Sequence, residues 1–126
     1  MKSVVISIVI ALAIVAGSVA YGNHMHKVSD TLISINDKLI EEIDGENYEQ
    51  AENVLENAIM YIESNRTMLS AMDNHESIDK IELNIYELYE YIKGEEKTDA
   101  LSKCRMLGVL YKHLPKDYEL KLENIL

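Results

Sequence analysis

Residues 3–21 read SVVISIVIALAIVAGSVAY, nineteen positions without a formal charge. As a helix this stretch spans about 28 Å, close to the roughly 30 Å hydrocarbon thickness of a bilayer. A small water-soluble domain rarely holds a segment apolar on every face for so long. Two fates fit it. The first is a permanent signal-anchor, with residues 1–22 as a transmembrane helix and residues 23–126 as a helical domain outside the cytoplasm. The second is a secreted soluble domain, because Ser18-Val19-Ala20 presents small residues for cleavage after Ala20. The anchor is favoured, since the apolar run is long, the charged leader is thin and helical sequence follows at once. Lys2 and Lys27 flank the stretch and hardly bias its orientation. A short N-terminus before an export-like helix ordinarily stays inside, which places the remainder outside.

The rest of the chain is acidic. Of 12 basic and 22 acidic side chains, only Lys2 precedes the body of the protein, and the formal net charge is −10. Nucleic acid is therefore excluded as an expected partner, because phosphate binding needs a basic face. A head of this sign is also repelled from anionic lipid. Residues 46–99 carry 14 acids and 4 bases, whereas residues 100–126 carry 3 acids and 5 bases. The acidic middle and mildly basic last helix are expected to pack with complementary surfaces. One Cys excludes an internal disulfide and a CxxC metal site, and one Pro with five Gly leaves little punctuation for an all-β fold.

Four apolar stripes with helical spacing come after Gly22-Asn23. Over 27–43 the positions are Val28, Leu32, Ile35 and Leu39. Over 47–72 they are Tyr48, Ala51, Leu55, Ala58, Ile62, Asn65, Leu69 and Met72. Over 78–92 they are Ile78, Ile81, Ile85, Leu88 and Ile92, and over 98–113 Ala100, Cys104, Leu107 and Tyr111, with Leu114 just beyond. Stripes of this period belong to helices that share a core. Asp44-Gly45 and Gly94 stop the first and third helices, Asp73-Asn74 parts the second from the third, and Asn74 or Ser77 caps the third at its start. Pro115 is expected to end the fourth helix, with Tyr118, Leu120, Leu122, Ile125 and Leu126 folding back on the bundle. The expected fold is all-α: one N-terminal transmembrane helix, then a four-helix bundle of two αα-hairpins. A faint repeat supports the pairing, since Gly45 precedes Ala51 as Gly94 precedes Ala100, with a period of 49 residues. The stretch GENYEQAENVLENA also looks like part of a tetratricopeptide repeat, without that unit's closing Pro.

Chemistry is thin. His75, Asp79 and Glu82 recur at i, i+4 and i+7 on one helical face, donors able to hold a divalent metal. The zincin spacing fails because residue 79 is Asp, and the plainer reading is an acidic helix start favoured by the helix dipole. The Glu-x-x-His pattern of di-iron bundles is missing, since Met72 and Leu110 precede His75 and His113 by three. His24-Met25-His26 is either a minor metal site or an interfacial linker. Cys104 falls on a buried stripe, as a small apolar side chain rather than a reactive thiol. Asn65-Arg66-Thr67 fits the glycosylation sequon, yet Asn65 sits on a stripe and is read as a buried polar residue. No nucleophile elbow, P-loop or dinucleotide fingerprint occurs, and no cofactor is expected. Tyr86, Tyr89 and Tyr91 fall on different faces of one helix, so at least one is exposed or used at a contact.

The order of features resembles the domain of unknown function 4363 family of small bacterial proteins. The likeness is carried by the N-terminal anchor, the turn from Gly45 to Ala51 and the segment His75-Glu-Ser-Ile-Asp79-Lys-Ile-Glu82. The ending His113-Leu-Pro115 and the terminal Leu122-Glu-Asn-Ile-Leu126 complete it. It implies a membrane-anchored helical protein and carries over no catalytic residue. The function expected is a non-enzymatic interaction or accessory module at the cell envelope, held in the bilayer by residues 3–21 and contacting a membrane or envelope protein. The competing class is a metal-dependent sensor or enzyme using His75, Asp79 and Glu82.

Overall fold

The computed structural model describes the backbone of residues 1–70 and 75–125, and side chains over 1–70 and 75–115. Five helices run in order: α1 (Lys2–Asp44), α2 (Tyr48–Ser64), α3 (Arg66–Ser70), α4 (His75–Lys93) and α5 (Lys97–Ile125). No strand occurs among the described residues, and the architecture is the expected apolar helix leading into a helical bundle. α1 packs on α2 and α5, and α4 on α5 and α2, so four helices close a ring while α3 lies at one end against α2 and α4.

α1 runs unbroken through Gly22 and Asn23, where the sequence suggested a junction. With no proline in its 43 residues, nothing removes a backbone donor, and an interior glycine costs only about 1 kcal/mol. At 1.5 Å per residue α1 is about 64 Å long. Its first twenty residues bury no side chain, and its fully buried positions begin at Met25.

The stripes on α4 and α5 are buried as read: Ile78, Ile81, Ile85, Leu88 and Ile92 face Ala100, Cys104, Leu107, Tyr111 and Leu114. On α1 the reading needs correction. Ile35 is half-buried, and the inner face instead includes Ser29 and Asn36, because α1 serves two neighbours and its buried arc is wider than one stripe. The expected helix over 47–72 is also interrupted. α2 ends at Ser64, and Asn65 is a half-buried cap whose Nδ2 donates to the Tyr61 carbonyl at 2.9 Å. An Asn side chain competes with the helix for backbone partners, which makes it a natural point of interruption. Residues 71–74, with Met72 and the Asp73-Asn74 break, lie outside the described residues, and Ser77 falls inside the first turn of α4.

Pro115 does not end α5, which continues to Ile125. A proline withholds the N–H that the carbonyl four residues earlier would receive. Here that carbonyl belongs to Tyr111, and Ser29 Oγ of α1 donates to it at 2.7 Å. The neighbouring helix thus replaces the missing donor. Seven residues along each helix, Asn36 Nδ2 donates to the Cys104 carbonyl at 2.8 Å. The two bonds fix an antiparallel register between α1 and α5. Gly108 faces this pair, and a Cβ there would meet Asn36 Nδ2 at 3.4 Å, an ordinary contact. The apolar positions beyond Pro115 fall where side chains are not described.

The 49-residue repeat is visible as geometry. At the first turn Glu46 N donates to Ile43 O and Asn47 N to Glu42 O; at the second Glu95 N donates to Ile92 O and Glu96 N to Tyr91 O. Both are Schellman motifs. In each, the left-handed seat is held by a glutamate, Glu46 at φ 61 and Glu95 at φ 54, rather than by the preceding glycine. Ala51 and Ala100 then open the following helices fully buried. Lys97 Nζ lies 3.9 Å from both Asp44 and Glu46, joining the two turns at the end farthest from the apolar stretch.

Candidate functional site

The bundle's loosest seam runs between α2 and α4. Ile62 and Ile85 of these antiparallel helices form the core edge of the seam, and outside that line their side chains spread apart. Two adjoining hollows of about 190 and 330 Å³ open there. Ile59, Ile62, Ile85 and Tyr86 line the first, and Glu56, Ile59, Tyr86 and Tyr89 the second. Tyr86 is 74% exposed and Ile59 36%, so the apolar wall between the hollows faces water.

The rim is charged. α2 carries Glu49, Glu52, Glu56 and Glu63 and neither Lys nor Arg. Arg66 closes one end: it donates to Glu63 at 2.6 Å and, across the seam, to Glu82. The bond from Arg66 draws the Glu63 carboxyl below its ordinary value, and the same bond raises the Arg66 guanidinium. Lys103 of α5 is turned inward to Glu87 at 2.7 Å and to Asn84 Oδ1 at 3.0 Å, while Lys93 sits over the Tyr89 ring, 4.6 Å from its centroid.

The three tyrosines separate clearly. Tyr86 stands on the open face, Tyr89 lines the second hollow while leaning on the core, and Tyr91 is half-buried against the core on another face. The metal candidates are not gathered. His75 and Asp79 are exposed, Glu82 is engaged by Arg66, and among the described residues no group of three or more His, Cys, Asp or Glu is placed to hold a metal ion. His24 and His26 are separated by Met25, which is fully buried, and His24 Nε2 lies 3.0 Å from Asn65 Oδ1. Cys104 is fully buried, and burial pushes its thiol up to about 12. Burial, then Cys104, raises the Tyr111 phenol. Burial also raises Tyr48, with Glu46 and Glu95 adding to it at the far turns.

The seam's α2 residues Glu56 and Ile59 carry no motif in the sequence, and Arg66 of α3 stands out there only as the middle of the Asn65-Arg66-Thr67 sequon. A signal existed: Ile59 and Met60 are apolar residues off the α2 stripe, as Leu83 is on α4, and all three are exposed.

At the C-terminal end of α2, where Arg66 closes the seam, the bundle meets the end of the apolar stretch. The Tyr21 hydroxyl donates to the Met68 carbonyl of α3 at 2.6 Å, which brings α3 to the last residue of the 3–21 apolar stretch. The seam therefore opens within about 15 Å of that point along the bundle axis.

The family model described as Domain of unknown function (DUF4363) matches residues 19–125. The chain belongs to the DUF4363 family. The match covers the whole ring of helices and begins inside the apolar stretch, so the DUF4363 unit here is the bundle with the root of its long helix. No curated protein and no solved structure matches the chain.

Proposed function

We propose that this DUF4363 protein is a non-catalytic interaction module, anchored in the cell membrane by the start of α1 and displaying its bundle outside the cytoplasm. The observation that carries the reading is the first half of α1. Val4, Val5, Ile6, Ile8, Val9, Ile10, Leu12, Ile14, Val15 and Val19 are each more than half exposed, on a helix long and apolar enough to cross a membrane. Leaving ten aliphatic side chains in water forgoes roughly 1.5–3 kcal/mol for each that burial would supply, and lipid supplies it on all faces at once. Because α1 continues into the core, the anchor and bundle are one helix rather than two bodies on a leash. A tether of this kind suits a protein that acts on something held at the same surface.

The test is fractionation with sided proteolysis. The full chain should resist carbonate extraction, and protease added outside should digest the bundle. Recovery in the carbonate wash would remove the anchor.

A second reading has its own support. Since nothing before Tyr21 contributes to the core, cleavage after Ala20 would leave the bundle whole and secreted. N-terminal sequencing separates the two: Met1 retained means anchor, Tyr21 first means secretion.

A further inference from the structure

We infer that the α2–α4 seam seats a cationic amphipathic helix, contributed by a membrane-embedded partner close to the bilayer. This rests on the interaction reading above and specifies the partner's chemistry. The seam runs from Glu56 to Arg66, about 15 Å or three helical turns, and its apolar contacts fall on Ile59, Ile62, Ile85 and Tyr86. A helix laid into such a groove presents apolar anchors at i, i+3 or i+4, and i+7. Tyr86 fits the anchoring role, offering a large ring with few rotors at an exposed site.

Charge selects among the occupants. Glu56 and Glu63 line the α2 side and Glu82 the α4 side, and Glu90 is exposed farther along α4. Of the cations at the groove's two ends, Arg66 is already shared between Glu63 and Glu82, and Lys93 sits over the Tyr89 ring. A helix flanked by Lys or Arg finds a complementary rim, which steers encounter and fixes register. A second copy docked face to face would set the Glu56 and Glu63 rows against each other. Anionic headgroups are repelled for the same reason. The groove's short distance from the end of the apolar stretch fits a segment just outside a partner's own span.

The experiment is photocrosslinking of the full chain in cells, with benzoylphenylalanine at position 86, at position 59 and, as a control on another face, at Val109 of α5. All three sites are exposed, so the probe leaves the core intact. The expected result is adducts at 86 and 59 but not at 109, mapping by mass spectrometry to a Lys- or Arg-bearing amphipathic segment of a membrane protein. Glu56→Lys should lower the yield at 86 at least fivefold, and Glu56→Gln by less. An acidic or uncharged segment, a second copy of this chain or a lipid adduct at 86 overturns the cationic-helix assignment while leaving an interaction module. Adducts at 109 alone do the same. Adducts at none of the three overturn this inference and the interaction reading together.

Discussion

The Tyr111 carbonyl is buried within α5 and cannot receive a bond from Pro115, so Ser29 is its donor from another helix. Ser29→Ala should therefore cost about 1–3 kcal/mol, the penalty of a buried acceptor left unpaired. The control is Pro115→Ala, which restores the missing N–H. In that background Ser29→Ala should cost clearly less, and denaturant titration of all four combinations would measure the coupling. Nothing in sequence marked Ser29, because one serine among apolar neighbours has no period to break. Cys104 was legible, since it occupies a core position of a clean stripe. Its raised thiol has a consequence for pH. An acid whose folded value is raised favours the neutral form, so its contribution is full below the ordinary thiol value. That contribution is lost as pH rises from about 9 towards 12. Tyr111, also raised, adds to the loss above pH about 10. Stability should fall between pH 9 and 11 by up to about 1.4 kcal/mol per pH unit for each group. Cys104→Ala should flatten the lower part of that slope, as read by thermal melts; an unchanged slope would assign the alkaline loss elsewhere.

At the scale of elements, the two Schellman turns are the clearest imprint of the 49-residue repeat. Each places a glutamate in the left-handed region, where an L side chain costs roughly 1–2 kcal/mol and glycine almost none. Glu95→Gly should raise stability by about 0.5–1 kcal/mol after the added freedom of the unfolded chain is counted. Glu95 is the cleaner test, because Glu46 also lies near Lys97. A lower melting temperature for Glu95→Gly would mean that the side chain makes a contribution larger than its strain. Helix existence and hairpin pairing could be read from sequence, since apolar spacing and Gly stops are local signals. Helix ends were harder. Pro115 stays within a helix and Asn65 interrupts one because partners on α1, Ser29 and His24, meet the backbone and side-chain groups concerned. The groove was legible only by half. Spacing set Tyr86, Tyr89 and Tyr91 on different faces without choosing among them, and the hollow beside Tyr86 exists only once the register of α2 against α4 is set.

Across the whole molecule, α1 divides the chain into two regimes that share a backbone but hardly share stability. Before Ala20 no side chain is buried, while Tyr21 already reaches Met68 and Met25 is fully enclosed. The far end, where Lys97 meets Asp44 and Glu46 and where Glu49, Glu95 and Glu96 lie close in sequence, is the acidic pole; under the proposed anchoring, anionic lipid would push that pole away and favour an upright bundle. Removing residues 1–20 removes Lys2 and the exposed aliphatic run, leaving 11 bases against 22 acids. Such a chain should be monomeric in buffer, because strong like charge opposes association and the hydrophobic reason for detergent is gone. Its bundle should melt within roughly 4 °C of the full chain measured in the same mild detergent, since less than about 0.5 kcal/mol of packing is lost. Circular dichroism at 222 nm would check both chains. A drop beyond about 10 °C would show that the apolar stretch supports the bundle, so that the long helix works as one structural unit rather than as a stem carrying an independent fold.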